Sequence, residues 1–237
     1  MASNFFRVRG TNLPVATLGI IAVTVAVFLL QLVPGLGVTS ALLFSPVYAM
    51  GELASEGVPY EPWRMLTALF VHSDGGGAFF FMHILLNMYT LWIFGQVLET
   101  MMGRARYLAL YLLAGLGGSL AVFLWAFVVP TTMLSAVVGA SGAIFGLMAA
   151  YLVIHRSFGG DTRGMLVLVG INLAIGFLPG SNISWQAHIG GIIIGLVIGL
   201  IVTRWRYQSR QQWLLIGLTA VVLVGIALSR APIFVGL

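Results

Sequence analysis

Seven apolar runs, each about 14 to 24 residues long, dominate this chain and limit what it can fold into. They lie at about 13–33, 79–98, 106–129, 137–154, 165–178, 187–203 and 212–229, with ends placed to within about 2–4 residues. A helix needs roughly 20 apolar residues to cross a hydrocarbon core. The expected fold class is therefore all-α, a polytopic membrane helix bundle. The fifth run is short: about 14 residues at 1.5 Å each reach roughly 21 Å. The first run is too long for a signal-peptide core and lacks a small-residue cleavage site before its end, so it reads as a retained span.

The rest of the composition agrees. Only 7% of residues are charged, against about 25% in a soluble domain, which excludes an ordinary soluble fold and a disordered chain. There is no Cys, hence no disulfide, thiolate metal site or Cys nucleophile. The net charge of +5 comes from eleven basic residues, all Arg, scattered between the apolar runs. That scatter reads as a topology signal and not as a nucleic-acid face. Arg7, Arg9, Arg104, Arg106, Arg156, Arg163, Arg204, Arg206 and Arg210 fall on one side of the membrane, and only Arg64 and Arg230 on the other. The positive-inside rule then places the N-terminus in the cytoplasm and the C-terminus outside. The long loop 34–78 becomes external. It carries Glu52, Glu56, Glu61 and Asp74 with Pro46, Pro59 and Pro62, so a folded or membrane-lying loop is expected.

Polar side chains inside apolar spans are costly and point to function. Here they are His83 and Asn87 in the second span, Ser141 in the fourth, Asn172 in the fifth and His188 opening the sixth. Counted from the outer span ends, His83, Ser141 and His188 share a depth of about 5–6 Å. Ser141 lies in Gly139-Ala140-Ser141-Gly142, which suits either an open hydroxyl or close helix packing. His188 opens His188-x-x-Gly191-x-x-x-Gly195, continued at Gly199, a small-residue face for another helix. The fourth span has its own pair, Gly142 and Gly146. If these faces meet, Ser141 gains an imidazole able to take its proton. His188 alone could equally be an interfacial residue. His83 and Asn87, four apart, share a helix face and form either an interhelical polar clasp or a pair of oxyanion donors. Asn172 reads as an interhelical polar contact, and His155 as an interfacial residue at the cytoplasmic end.

Together these motifs resemble the rhomboid family of intramembrane serine proteases. The resemblance runs from about Trp63 to Gly199. It rests on Trp63-Arg64, His83-x-x-x-Asn87, Gly95-x-x-x-Glu99-x-x-x-Gly103, Gly139-Ala140-Ser141-Gly142 and Ala187-His188-x-x-Gly191-x-x-x-Gly195. It implies a six-helix core with the run 212–229 as a seventh, C-terminal transmembrane helix. The implied layout is a cytoplasmic segment 1–12, a protease core 13–203 containing loop 34–78, and a tail 204–237 holding the linker, the seventh helix and a short external end. It implies a Ser–His dyad, with Ser141 as nucleophile and His188 as general base. His83, Asn87 and the Ser141 N–H would form the oxyanion hole, and Phe145 would lie under the histidine. Gly139, Gly142, Gly191, Gly195, Trp63, Arg64 and Glu99 would be supporting residues. No metal and no cofactor are implied. The partners expected are single-span membrane proteins as substrates, and the lipid bilayer. The expected location is a bacterial plasma membrane, with the site opening externally. The substrate would enter past the fifth span and the loop at 179–186.

The insertion between His72 and His83 departs from the family pattern. His72 would otherwise match a supporting histidine, and Asp74 could in principle orient a histidine. Other classes fit less well. There is no His-Glu-x-x-His for a zinc protease, and Asp74 and Asp161 are the only Asp and lie in loops. A transporter is disfavoured because no span centre is charged. A non-catalytic, helix-binding relative is disfavoured by the intact Ser141 and His188.

Overall fold

The computed structural model describes residues 13–73, 81–177 and 183–231. Asp74 and most of the 73–82 insertion lie outside these residues, as do Pro179 and Gly180 of the loop expected beside the substrate entry.

Among the described residues the regular elements are all helical, with no strand. The helices are α1 Val15–Gln31, α2 Val38–Leu42, α3 Arg64–Thr67, α4 Met82–Met102, α5 Arg104–Val128, α6 Ser141–Ser157, α7 Arg163–Ile175, α8 Trp185–Arg204 and α9 Ser209–Leu228. By length and composition, α5, α8 and α9 are long and apolar enough to cross a membrane, while α1 and α7 are apolar but shorter. Helix α4 has the length, but Asn87, Gln96 and Glu99 dilute its apolar character.

Helix α8 packs between α5 and α6 and forms the centre of the bundle. Glycine makes this possible. A Cβ on Gly191 or Gly195 would collide with the carbonyl oxygens of Gly142 and Gly146 on α6, and one on Gly190 with that of Gly117 on α5. Without a hydrophobic driving force between helices in lipid, such close backbone approach supplies the packing energy. The glycine faces expected on the fourth and sixth spans therefore meet. Helix α1 lies on α4 through one stripe, Thr17, Ile20, Thr24 and Phe28. Glu99 accepts hydrogen bonds from the backbone N–H groups of Ala16 and Thr17 and from the Thr17 hydroxyl, so it satisfies donors that the start of α1 leaves free. Helix α7 buries no residue and touches chiefly α6. Asn172 on it is exposed and donates to Leu168 O in its own helix, which corrects the expected interhelical contact.

Residues 32–73, which follow α1, are folded. They hold α2, α3 and two 3₁₀ turns, Pro46–Ala49 and Gly51–Glu56. Arg64 is buried. Its guanidinium pairs with Glu61, donates to Ser40 O and Leu43 O, and lies 4.2 Å from the Tyr48 ring centroid. Trp63 beside it is 56% exposed. Phe44 and Val137 exchange backbone hydrogen bonds in an isolated antiparallel bridge, which ties this segment to the one before α6.

Candidate active site

The fourth apolar run begins at about residue 137, but α6 starts only at Ser141. Gly139 explains the delay: its φ of +118° lies outside helical space and suits only glycine. Ser141 is thus the first residue of α6, and not one turn inside a helix as counting from the end of the run implies. Ala140 provides no side-chain cap. The first N–H groups of α6 have no acceptor within the helix, and the positive end of its dipole lies at the serine.

His188 is one turn into α8 and only 4% exposed. Its Nε2 lies 3.0 Å from Ser141 Oγ. That distance follows from the contact of Gly191 with Gly142, the residue next to Ser141, since larger residues there would hold α6 and α8 apart. Phe145 stacks on the imidazole at 4.0 Å between centroids and 17° between planes. Nδ1 of His188 is buried and has no hydrogen-bond partner among the described residues.

His83 and Asn87 lie on α4. The His83 ring is beside Gly139, where a Cβ would fall 2.9 Å from its Cε1 and Nε2. Nδ1 of His83 accepts from the Ser73 N–H at 3.3 Å. In a neutral imidazole this leaves the proton on Nε2, the nitrogen beside Gly139. Asn87 is buried and donates to His83 O at 2.7 Å, and its amide carries a second N–H. The structure therefore gathers Ser141, His188, Phe145, Gly139 and His83 around the start of α6. Asn87 is one turn deeper on α4. Trp63, Arg64 and Glu99 lie elsewhere: Arg64 ties the loop together, Glu99 holds the start of α1 to α4, and Trp63 is exposed.

Gln31 is a positioning residue that no sequence motif singles out. Its amide donates to His72 O and accepts from the His72 N–H, clamping the chain just before Ser73 and the His83 contact. The one signal in the sequence is an amide ending an apolar run. A cavity of about 400 Å³ lies between the end of α5, the segment before α6 and the start of α8, lined by Trp125, Thr132, Val137, Ile183, Ser184 and Gln186. It reaches neither Ser141 nor His188.

The arrangement has the parts of a nucleophile–base pair with donors beside it. A family description, the Rhomboid domain, matches residues 59–205. RHOMBOID-like protein 6, mitochondrial, of Arabidopsis thaliana is 37% identical over 162 residues, covering 65% of this chain and 47% of that protein. Rhomboid protease GluP of Bacillus subtilis is 34% identical over 187 residues, covering 77% of this chain and 34% of that protein. Rhomboid protein 1, mitochondrial, of Saccharomyces cerevisiae is 28% identical over 220 residues, covering 88% of this chain and 58% of that protein. The chain spans less than half the length of the Arabidopsis and Bacillus relatives. With the match extending over more than half of its residues, the chain belongs to the rhomboid family.

Proposed function

We propose that this chain is an intramembrane serine endopeptidase that cleaves transmembrane segments of membrane proteins near the outer leaflet. The observation that carries this reading is the 3.0 Å approach of His188 Nε2 to Ser141 Oγ. Nε2 takes the hydroxyl proton as Oγ attacks the scissile carbonyl carbon. The oxyanion that forms is met by the Ser141 N–H at the uncapped start of α6, by His83 Nε2–H and by the second Asn87 amide N–H. His188 then gives its proton to the leaving amine, and an acyl-enzyme remains on Ser141. A water activated by the same imidazole hydrolyses it and restores both residues. Phe145 holds the imidazole plane during these transfers, while Nδ1 keeps its proton with no acidic partner among the described residues.

The substrate is a single-span protein that reaches the site laterally past α7 and the loop at 179–186; α7 buries no residue and so is weakly anchored. A helical carbonyl is hydrogen-bonded and shielded, so the substrate must unwind locally. Helix-weak sequences and a small residue before the cleaved bond are favoured. In this reading residues 1–12 are cytoplasmic and 13–203 form a six-helix core with loop 34–78 outside. The tail 204–237 adds α9 as a seventh span and ends outside, with the arginine-rich end facing the cytoplasm of a bacterial cell.

The test is cleavage of a single-span reporter in liposomes. Wild type cleaves it, and Ser141→Ala and His188→Ala each lower the rate by at least about a thousandfold, since members of a nucleophile–base unit fail together. Equal cleavage by all three proteins overturns the dyad. Absence of cleavage, together with no labelling of folded wild type by a fluorophosphonate, favours a helix-binding or transport role.

A further inference from the structure

Gln31 ends α1, and its amide is engaged on both sides. Nε2 donates to Thr39 Oγ1 at 2.9 Å and to His72 O at 2.8 Å, while Oε1 accepts from the His72 N–H at 3.0 Å. The clamp joins the end of α1 to α2 and to a residue 41 positions along the chain. Val71 and His72 are both fully buried, so the backbone held by the clamp has little room to shift.

The peptide unit between His72 and Ser73 carries the consequence. A trans peptide is planar, and its C=O and N–H point in opposite directions. His72 O and the Ser73 N–H belong to that one plane. Gln31 holds the oxygen, so the N–H is turned the other way, where it donates to His83 Nδ1 at 3.3 Å. A neutral imidazole that accepts at Nδ1 carries its proton on Nε2, the nitrogen beside Gly139. Were the plane to turn over, His72 O would face Nδ1 and favour the opposite tautomer. Nε2 would then offer a lone pair, and not a proton, to negative charge developing at Ser141.

We propose that Gln31 is a positioning residue for the oxyanion hole: by fixing the His72–Ser73 peptide plane, it keeps the His83 proton on Nε2. Its effect on cleavage rests on the protease reading above, whereas its effect on the tautomer does not. Gln31 therefore acts on catalysis only through His83.

Two measurements on the full chain in liposomes test this. The first is nitrogen-15 NMR of histidine-labelled protein at about pH 8, well above the ordinary histidine pKa of about 6.5. The chain has four histidines, and loss of a signal in His83→Ala identifies the one of interest. Wild type is expected to show His83 with Nδ1 bare and Nε2 protonated, and Gln31→Met to add a population protonated at Nδ1. Gln31→Glu keeps the shape and the acceptor for the His72 N–H but has no donor for His72 O, and is expected to do the same.

The second is a double-mutant cycle with the reporter substrate. Gln31→Met is expected to lower kcat about tenfold with KM unchanged, the worth of one hydrogen bond felt only in the transition state. His83→Ala is expected to lower it about a hundredfold, as loss of one oxyanion donor does. Adding Gln31→Met to His83→Ala is expected to change the rate by less than about twofold. A tenfold loss in both backgrounds overturns the proposal and marks Gln31 as a general brace. So does His83 protonated at Nδ1 in wild type, or an unchanged tautomer in both variants when folded. If wild type cleaves nothing, the protease reading fails, and the spectra still decide whether Gln31 sets the tautomer.

Discussion

Buried imidazoles behave according to what their nitrogens touch. His72 is fully buried. Burial pushes its pKa down from 6.5 to about 3, the neighbouring His83 adds to the fall, and the Phe70 backbone opposes it. The unfolded chain therefore binds this proton more readily than the folded one. The stability due to neutral His72 is complete above pH 6.5 and is lost as pH falls from there towards 3, at about 1.4 kcal/mol per pH unit. His72→Phe is expected to flatten the decline of thermal stability over that window; an unchanged slope would show that other groups control acid unfolding. For single residues the sequence is informative about types and less so about settings. A serine, two histidines and two asparagines stand out because spans rarely hold them. Nothing in the order of residues indicates that Gln31 clamps His72, because that depends on where a loop returns, or that the Asn87 amide turns back to the His83 carbonyl of its own helix, because that is a rotamer set by packing.

Helices in this bundle are placed by what their small residues allow. A Cβ on Gly191 would meet the Gly142 carbonyl, whereas one on Gly217 of α9 would have no atom within 4 Å. Gly191→Val is accordingly expected to force α6 and α8 apart, at a cost of at least about 3 kcal/mol, and to abolish cleavage by separating Ser141 from His188. Gly217→Ala is expected to leave cleavage intact and to stabilise by about 0.5–1 kcal/mol through helix propensity. Thermal denaturation and the reporter assay together distinguish the two. The four-residue glycine spacing is readable along the chain as a packing face. The start of α6 is not, because hydropathy continues smoothly through Val137 and Val138 while backbone geometry breaks at Gly139.

Across the whole molecule, α9 is fastened at both ends. At its start Gln212 bonds to the end of α8. Just beyond its end the Arg230 guanidinium pairs with Glu52 and lies 5.5 Å from the Phe127 ring centroid, while the Arg230 carbonyl accepts from the Gly51 N–H. The helix thereby holds the loop between α1 and α4. Arg230 is half exposed, so Arg230→Ala is expected to cost less than about 1 kcal/mol and to cost less still at high salt. A larger, salt-independent loss in thermal stability would show that the bond is not screened as its exposure requires.

Amino-acid order is enough to make this chain a membrane helix bundle, since long apolar runs with 7% charge have no other stable solvent. It is also enough to mark the polar residues that chemistry would use and the glycine faces that bring helices close. Packing in three dimensions was needed to settle which nitrogen faces which oxygen, where α6 begins, and that one peptide unit joins Gln31 to His83. Periodicity is a property of one segment and can be read along the chain. A 3.0 Å contact between residues 47 positions apart depends on how several segments pack at once.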